Sequence, residues 1–447
     1  MSPATNTHVD QPVAWYRRIG PGLITACVVI GPGSIMTSST VGANKGYAML
    51  WVVVVSVVFM LVYMTMSAKL GAVSSVSPGD LIRRKAGRPL AILLGCIVFI
   101  IAAAFQSGNN IGVAAAFEAF IDSKPLVAAL VVAFNVIAIM FLFLFKNLYR
   151  VMERLMMFFV AMMLISFAVN LFTLKPDPVA MAKGFVPAAG TIDIALLGLI
   201  GTTFVISGAF YQAYLVQQKG WDERQVRSGI VDARVGAVIM ALITIMLMST
   251  AAAGLYTGSP VTLADPVAVA EALEPTFGQS GKFIFCVGIF CAAYSSFLIN
   301  SMTGGFIVSD GFGLGSGAQD RWPRIMTTLG LLAGMVVALA ALVLDFDRTP
   351  TIIAAQAVTV VGAPLVAGVL LWLASSKDVM GKHVNGPVTK VFAGIGLVIL
   401  LAMAANTAFV TLPGKIQQYR ETLSETSSPS KITPASAPVP VTSSKRS

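Results

Sequence analysis

What this sequence lacks first is charge. Only 11% of its 447 residues are Asp, Glu, Lys or Arg, against about 25% in a soluble domain. An ordinary water-soluble fold is excluded on that ground. Histidine is scarce: His8 and His383 are the two, and both lie outside the apolar blocks. The four cysteines, Cys27, Cys96, Cys286 and Cys291, fall inside apolar blocks and show no CxxC spacing. That pattern predicts buried free thiols, with neither a zinc motif nor a disulfide framework. No cleavable signal peptide opens the chain, because residues 1–14 are polar and lead straight into apolar helix material. No acid, base and nucleophile cluster inside an apolar block, which argues against an enzyme, and no cofactor is expected.

What is present is long apolar sequence. Hydrophobic residues make up 56% of the chain, and mean hydropathy is +0.83. The blocks are long enough to cross a bilayer, which takes about 20 residues each. They are continuous rather than alternating, so they predict helices and exclude a barrel. Eleven helices are predicted, over 18–41, 46–70, 90–120, 125–146, 149–173, 190–218, 228–256, 281–311, 324–345, 351–375 and 390–412. Three regions follow: a cytoplasmic N-terminal tail over 1–17, a transmembrane domain over 18–412, and a Ser/Thr/Pro-rich tail over 413–447 expected to be disordered.

The formal charge of +10 is read as basic loops that set orientation, with no nucleic-acid partner implied. Arg83, Arg84, Lys85, Arg88, Arg150, Arg154, Arg224, Arg227, Lys377 and Lys382 all fall on the side of the N-terminus. This predicts a cytoplasmic N-terminus in a bacterial inner membrane. An odd helix count puts the C-terminal tail outside, although Lys415 and Arg420 pull the other way. The implied partners are the lipid bilayer and a small-molecule or ion substrate.

Two helices carry interruptions. The first contains Gly31-Pro32-Gly33 near its middle, and the sixth has Gly201 and then Ser207-Gly208, amid Thr202, Thr203 and Gln212. Proline removes a backbone donor and glycine makes the chain permissive. The bland reading is a proline kink. The functional reading is an unwound site, because matched interruptions in two halves mark the midplane site of a secondary transporter.

These motifs resemble the Nramp family of divalent-metal transporters. The resemblance is carried by Gly20-Pro21-Gly22, Gly31-Pro32-Gly33-Ser34, Gly42, Gly46-Tyr47 and Leu50-Trp51. Val151-Met152-Glu153, Pro176-Asp177, Ser295-Ser296, Gln356 with Pro364, Val379-Met380-Gly381 and Val384-Asn385 also fit, and the match covers roughly 18–410. It implies an all-α LeuT-type fold: an inverted five-plus-five helix repeat with an eleventh helix added.

The departures from the family lie at its chemistry. Where the family has a metal-ligating Asp and Asn in the first helix, this chain has Gly31 and Ser34. The family's Met-Pro-His of the sixth helix is Val205, Ile206 and Ser207, and a second His is Gln212. The Asp and Glu linked to proton movement are Gln106 and Asn109, and a Gln of the eighth helix is Tyr294. Gln356 alone survives. Among the remaining carboxylates, Glu118, Glu153, Asp193, Asp232 and Asp310 all fall near helix ends.

The expected substrate site is therefore neutral and polar: Gly31, Ser34, Thr37, Thr203, Val205, Ser207, Gln212 and Gln356. Hard divalent ions want oxygen ligands, usually carboxylates among them, and softer metals want Cys, Met or His. No high-affinity metal site is expected, and a hydrated Mg²⁺-like ion or a small polar organic solute is favoured over dehydrated Mn²⁺ or Fe²⁺. Gln106, Asn109 and Tyr294 are read either as a polar pathway or as hydrogen-bond glue. Ser295 and Ser296 are read either as a Na⁺ site for a driving ion or as small residues for close packing. The exposed dipole ends expected at residues 34 and 208 leave the sign of the preferred ligand open. Two rivals stand beside this reading: a working divalent-metal transporter using Gln356, carbonyls and waters, and a non-transporting membrane sensor.

Overall fold

A computed structural model describes residues 20–411 apart from 146, 188–193, 262, 264–265 and 345–347, together with 413, 414 and 417. The N-terminal tail, nearly all of the C-terminal tail and Asp193 lie outside the described residues. The first span is two helices, α1 (Pro21–Val29) and α2 (Pro32–Lys45), bent by 61° at the break. Then follow α3 (Leu50–Val73), the short α4 (Pro78–Ala86), α5 (Arg88–Glu118), α6 (Lys124–Leu144), α7 (Leu148–Thr173) and the short α8 (Pro178–Lys183). The sixth span is also split, into α9 (Ile194–Thr203) and α10 (Ile206–Gln218). The remainder is α11 (Val226–Leu255), α12 (Pro266–Phe312), α13 (Arg321–Val343), α14 (Arg348–Ser375), the one-turn α15 (Lys377–Met380) and α16 (Pro387–Asn406).

Among the described residues, ten helices are long and apolar enough to cross a membrane, eleven when the bent pair counts as one span. Each predicted helix has its counterpart. The starts are written in the sequence: Pro21, Pro32, Pro78, Pro125, Pro178 and Pro387 occupy first-turn positions, where the missing N–H is no loss. Some stops are as plain. Gly87, at φ 88°, ends α4 in a conformation that disfavours a side chain.

Three features differ from the sequence expectation. The short helices α4, α8 and α15 were not expected, being too short and too polar to show a membrane period. The eighth span begins earlier, because Gly278 at φ 68° divides α12 into a preceding amphipathic piece and the span itself. The break in the sixth span falls at Phe204-Val205, not at Gly201 or Ser207-Gly208. Glycine permits a break without forcing one. Here the bend sits where Phe204 is anchored between the rings of Phe59 and Tyr63, at 6.0 and 5.5 Å.

Apart from the bent first span, the sixth and eighth spans are the most enclosed, each 78% buried over its apolar window, whereas α6 and α16 are 28% and 22% buried. The half-helix α1 lies wholly inside, every residue of it buried. It crosses α11 at glycines on both sides. A Cβ on Gly236 would stand 2.6 Å from the Gly22 carbonyl carbon, and one on Gly22 would stand 2.7 Å from the Asp232 carbonyl carbon. Small residues that let helix backbones touch are a usual device of helix association in lipid. Gly236→Ala is expected to lower the melting temperature in detergent, an overpacking cost of about 1–3 kcal/mol. Wild-type thermal stability in that variant would mean the contact is looser than described.

Candidate functional site

The two breaks face each other across the bundle. Four helix ends meet there, and each leaves backbone groups that lipid cannot satisfy. At the first break, the Gly31 N–H donates to Ser34 Oγ (3.0 Å) and the Ser34 hydroxyl donates to the Gly31 carbonyl (2.8 Å). Ser34 thus caps α2 from within. One turn on, Thr37 donates to the Gly33 carbonyl (2.9 Å) and its hydroxyl meets that of Thr202 at 3.0 Å. This ties α2 to α9.

The last carbonyls of α1 are met from the eighth span. Ser296 and Asn300 of α12 both donate to the Val28 carbonyl, at 3.4 and 3.3 Å, and Asn300 also donates to Ser296 Oγ at 2.8 Å. Ser295 instead bonds within its own helix, to the Ala292 carbonyl (3.2 Å). Both hydroxyls thus meet backbone carbonyls, and nothing in this arrangement gives support to Na⁺ as a driving ion. Asn300 went unnoticed in the sequence, although its place four residues after Ser296 puts it on the same helix face.

Gly31 sits at the meeting point. Its φ of −141° is extended backbone open to any residue, so conformation does not demand glycine there. Space is tight. A Cβ at Gly31 would lie 2.8 Å from Ser296 Oγ, 3.2 Å from Ser296 Cβ and 3.3 Å from Asn109 Oδ1. A side chain at this position would have to displace the Ser296 hydroxyl that meets the Val28 carbonyl.

Around this point the predicted site residues divide. Ser34, Thr37, Val205 and Ser207 are buried at the two breaks as expected. Thr203 is fully buried, and its hydroxyl has no hydrogen-bond partner among the described residues. Gln356 lies on α14, but its side chain is outside the described residues. Thr359, three residues further along α14, borders a void of about 20 Å³ that Gly198, Gly201 and Thr202 also line. That is room for about one water.

Two predicted residues are elsewhere. Gln212 accepts a hydrogen bond from the Thr25 hydroxyl and donates to Asp232 (3.3 Å), so it braces α1 against α11 instead of lining the break. Tyr294 is built into an aromatic stack, 5.6 Å from Phe290 and 5.5 Å from Phe297, and its hydroxyl donates to the Phe134 carbonyl at 3.3 Å. It packs α12 against α6. Gln106 donates to the Phe297 carbonyl (2.9 Å) and accepts from Asn109 (2.8 Å), so that pair joins α5 to α12. Asn110 and Asn135 extend the same ties to α6, at 2.7 Å. His383 lies on a loop 3.1 Å from Glu223, outside the site.

Among the described residues, the side chains placed at the two breaks bring hydroxyls and amides beside backbone groups. Among the described residues, no group of three or more His, Cys, Asp and Glu side chains is placed to hold a metal ion.

Paired broken helices within an eleven-span bundle define a membrane transporter of LeuT-type architecture, and the comparisons agree. The MhsT transporter, solved with L-phenylalanine, superposes with a TM-score of 0.55 at 16% identity, over 86% of this chain and 98% of that one. A manganese transporter from Eremococcus coleocola superposes with a TM-score of 0.77 at 19% identity, over 94% of each chain. In sequence, the divalent metal cation transporter MntH of Chromohalobacter salexigens is 25% identical over 407 residues, 89% of this chain and 91% of that protein. The family model described as natural resistance-associated macrophage protein-like matches residues 22–410. The chain belongs to the Nramp family.

The crowding at Gly31 makes a prediction. Gly31→Ala is expected to destabilise the protein, and Ser296→Gly in the same chain to restore part of the loss, a coupling of about 0.5–3 kcal/mol. Thermal melts of the two single variants and the double variant measure it. Strict additivity would show that the two residues do not meet.

Proposed function

We propose that the protein is a secondary transporter working by alternating access around the breaks in its first and sixth spans. Its cargo is a divalent cation that keeps most of its water, Mg²⁺ being the type. The relatives named above are divalent-metal and manganese transporters, which supports the cation class. The neutral site argues for the hydrated form. The observation that carries this reading is that, among the described residues, no group of three or more His, Cys, Asp and Glu side chains is placed to hold a metal ion, while hydroxyls and backbone groups meet at the break beside Gly31.

The physical reasoning is one of replacement. A stripped divalent ion must recover in the protein what it loses in water, and an unpaired charge in a dry medium costs tens of kcal/mol in the idealised limit. Mg²⁺ dehydrates reluctantly and usually keeps several waters. Hydroxyls such as those of Thr37, Thr202 and Thr203 suit the outer face of a water shell, which hydrogen-bonds and needs no inner-sphere charge. A small polar organic solute is the variant of the same reading, since it asks the same of the site.

A second reading is favoured by the relatives' names alone: transport of dehydrated Mn²⁺ through Gln356, backbone carbonyls and retained waters. One comparison separates them. In proteoliposomes, Mg²⁺ uptake is expected to exceed that of empty vesicles and to resist an equal concentration of Mn²⁺. Ser34→Ala with Gln356→Ala is expected to reduce it about tenfold or more, the loss of roughly 1.4 kcal/mol of interaction. Micromolar Mn²⁺ binding by calorimetry, abolished in the Gln356→Ala protein, would decide for the second reading.

The expected topology places the α1 start and the basic loops on the cytoplasmic side of a bacterial inner membrane. Uptake then runs toward the face at which α1 begins.

A further inference from the structure

Two carboxylates that the site does not use are buried in the same kind of place. Asp232, on the second turn of α11, has no exposed surface. Its Oδ1 accepts the Gly20 N–H at 2.7 Å and its Oδ2 the Gly22 N–H at 2.5 Å. Pro21, between them, has no N–H to give, so one carboxylate takes both available donors at the start of α1. Asp310, near the end of α12 and 3% exposed, accepts the Ser77 hydroxyl at 2.7 Å and the Gly79 N–H at 2.8 Å, flanking Pro78 at the start of α4. Three helices open on Pro-Gly: α1 and α4 are each gripped by a carboxylate from a distant span, whereas α2, which starts at the break, is capped by its own Ser34.

The half-helix α10 touches both grips. Gln212 donates to Asp232 at 3.3 Å while accepting from Thr25 of α1. Two residues on, the Tyr214 hydroxyl donates to Asp310 at 2.7 Å. The other charged and titratable groups near Asp232 are Lys219, which follows α10, and Glu153 and Tyr149 of α7. Lys219 and Glu153 pair at 2.6 Å. A Cβ on Gly20 would lie 2.5 Å from Lys219 Nζ and 2.9 Å from Tyr149 Oη. The start of α1 is thus enclosed by a single grip and a closed ion pair.

We propose that Asp232 is the latch that holds the half-helix α1 shut, that Asp310 holds α4 by the same device, and that α10 joins the two through Gln212 and Tyr214. The two N–H bonds of the first grip share one carboxylate, so α1 leaves α11 by losing both together. Charge-assisted bonds are roughly twice as strong as neutral ones, and in a dry site no water replaces them. The latch bears on transport only through the alternating-access reading, yet it can be tested without any cargo, so the two can fail separately.

The reporter is native. Cys27 lies on α1 with no exposed surface. In the full-length protein carrying Cys96→Ala, Cys286→Ala and Cys291→Ala, in liposomes, its alkylation by N-ethylmaleimide measures how often α1 opens. Asp232→Asn keeps the shape but turns an acceptor into an NH₂ group, so one backbone bond must fail. Cys27 alkylation is expected to rise about tenfold or more in that variant. Amide exchange should rise in peptides from α1 and stay unchanged in those from α5 to α7. Thr25→Val, which removes the tie to Gln212 and a bond to the Pro21 carbonyl but leaves both N–H bonds to Asp232, should give a smaller rise. Unchanged alkylation and exchange in Asp232→Asn would overturn the latch. So would a loss of protection across all spans, because the carboxylate would then hold up the whole bundle and not one half-helix.

Discussion

The constraint on which this structure depends is that a backbone N–H or carbonyl has no water to turn to inside a bilayer. A helix that breaks in mid-membrane must find substitutes among its neighbours. Every substitute found here is neutral: Ser34 for the Gly31 peptide, Thr202 beside Thr37, and Ser296 with Asn300 for the Val28 carbonyl. Once hydroxyls and an amide have done this, the breaks are stable without a bound charge. A side chain at position 31 would press on the Ser296 hydroxyl, which stands 2.8 Å from where its Cβ would go.

Carboxylates are present in the protein's interior, away from the two breaks. Asp232 and Asp310 are both buried, Asp232 accepting two N–H groups at the start of α1 and Asp310 one N–H at the start of α4 together with the hydroxyls of Ser77 and Tyr214. A buried carboxylate is tolerable only when its lone pairs are matched, and the orphan donors of a helix N-terminus are a ready match. Carboxylates in these positions hold half-helices in place, whereas a carboxylate at the break would hold an ion. Among the described residues, neither of these carboxylates belongs to a cluster placed to hold a metal ion.

Much of the fold was legible in the sequence because lipid imposes a simple code. Apolar blocks of spanning length, begun by Pro21, Pro32, Pro125 and Pro387, marked the spans to within a few residues, and Gly31-Pro32-Gly33 marked the first break. The second break was misplaced because Gly201 and Gly208 look like breakers and Phe204 does not. What fixes the bend is the seat of a ring between Phe59 and Tyr63 on another helix, which no local pattern encodes. Gln212 and Tyr294 were assigned to the site by their polarity and position along a span. Their hydrogen bonds go to Asp232 and to the Phe134 carbonyl instead. Thr202 and Thr203 are neighbours in sequence, and only the helix rotation decides that the first of them meets Thr37.

By itself the sequence determined that this is a helical membrane protein, where its spans lie, and that no acidic residue falls near the middle of one. Those properties depend on composition and local periodicity, which a linear chain carries in full. The tertiary structure decided which polar groups pair across the breaks, what a side chain at position 31 would press on, and that two carboxylates near helix ends clasp the starts of other helices. Such facts concern residues as far apart as Gly20 and Asp232, and their meeting is set by packing and by the need to satisfy every buried polar group.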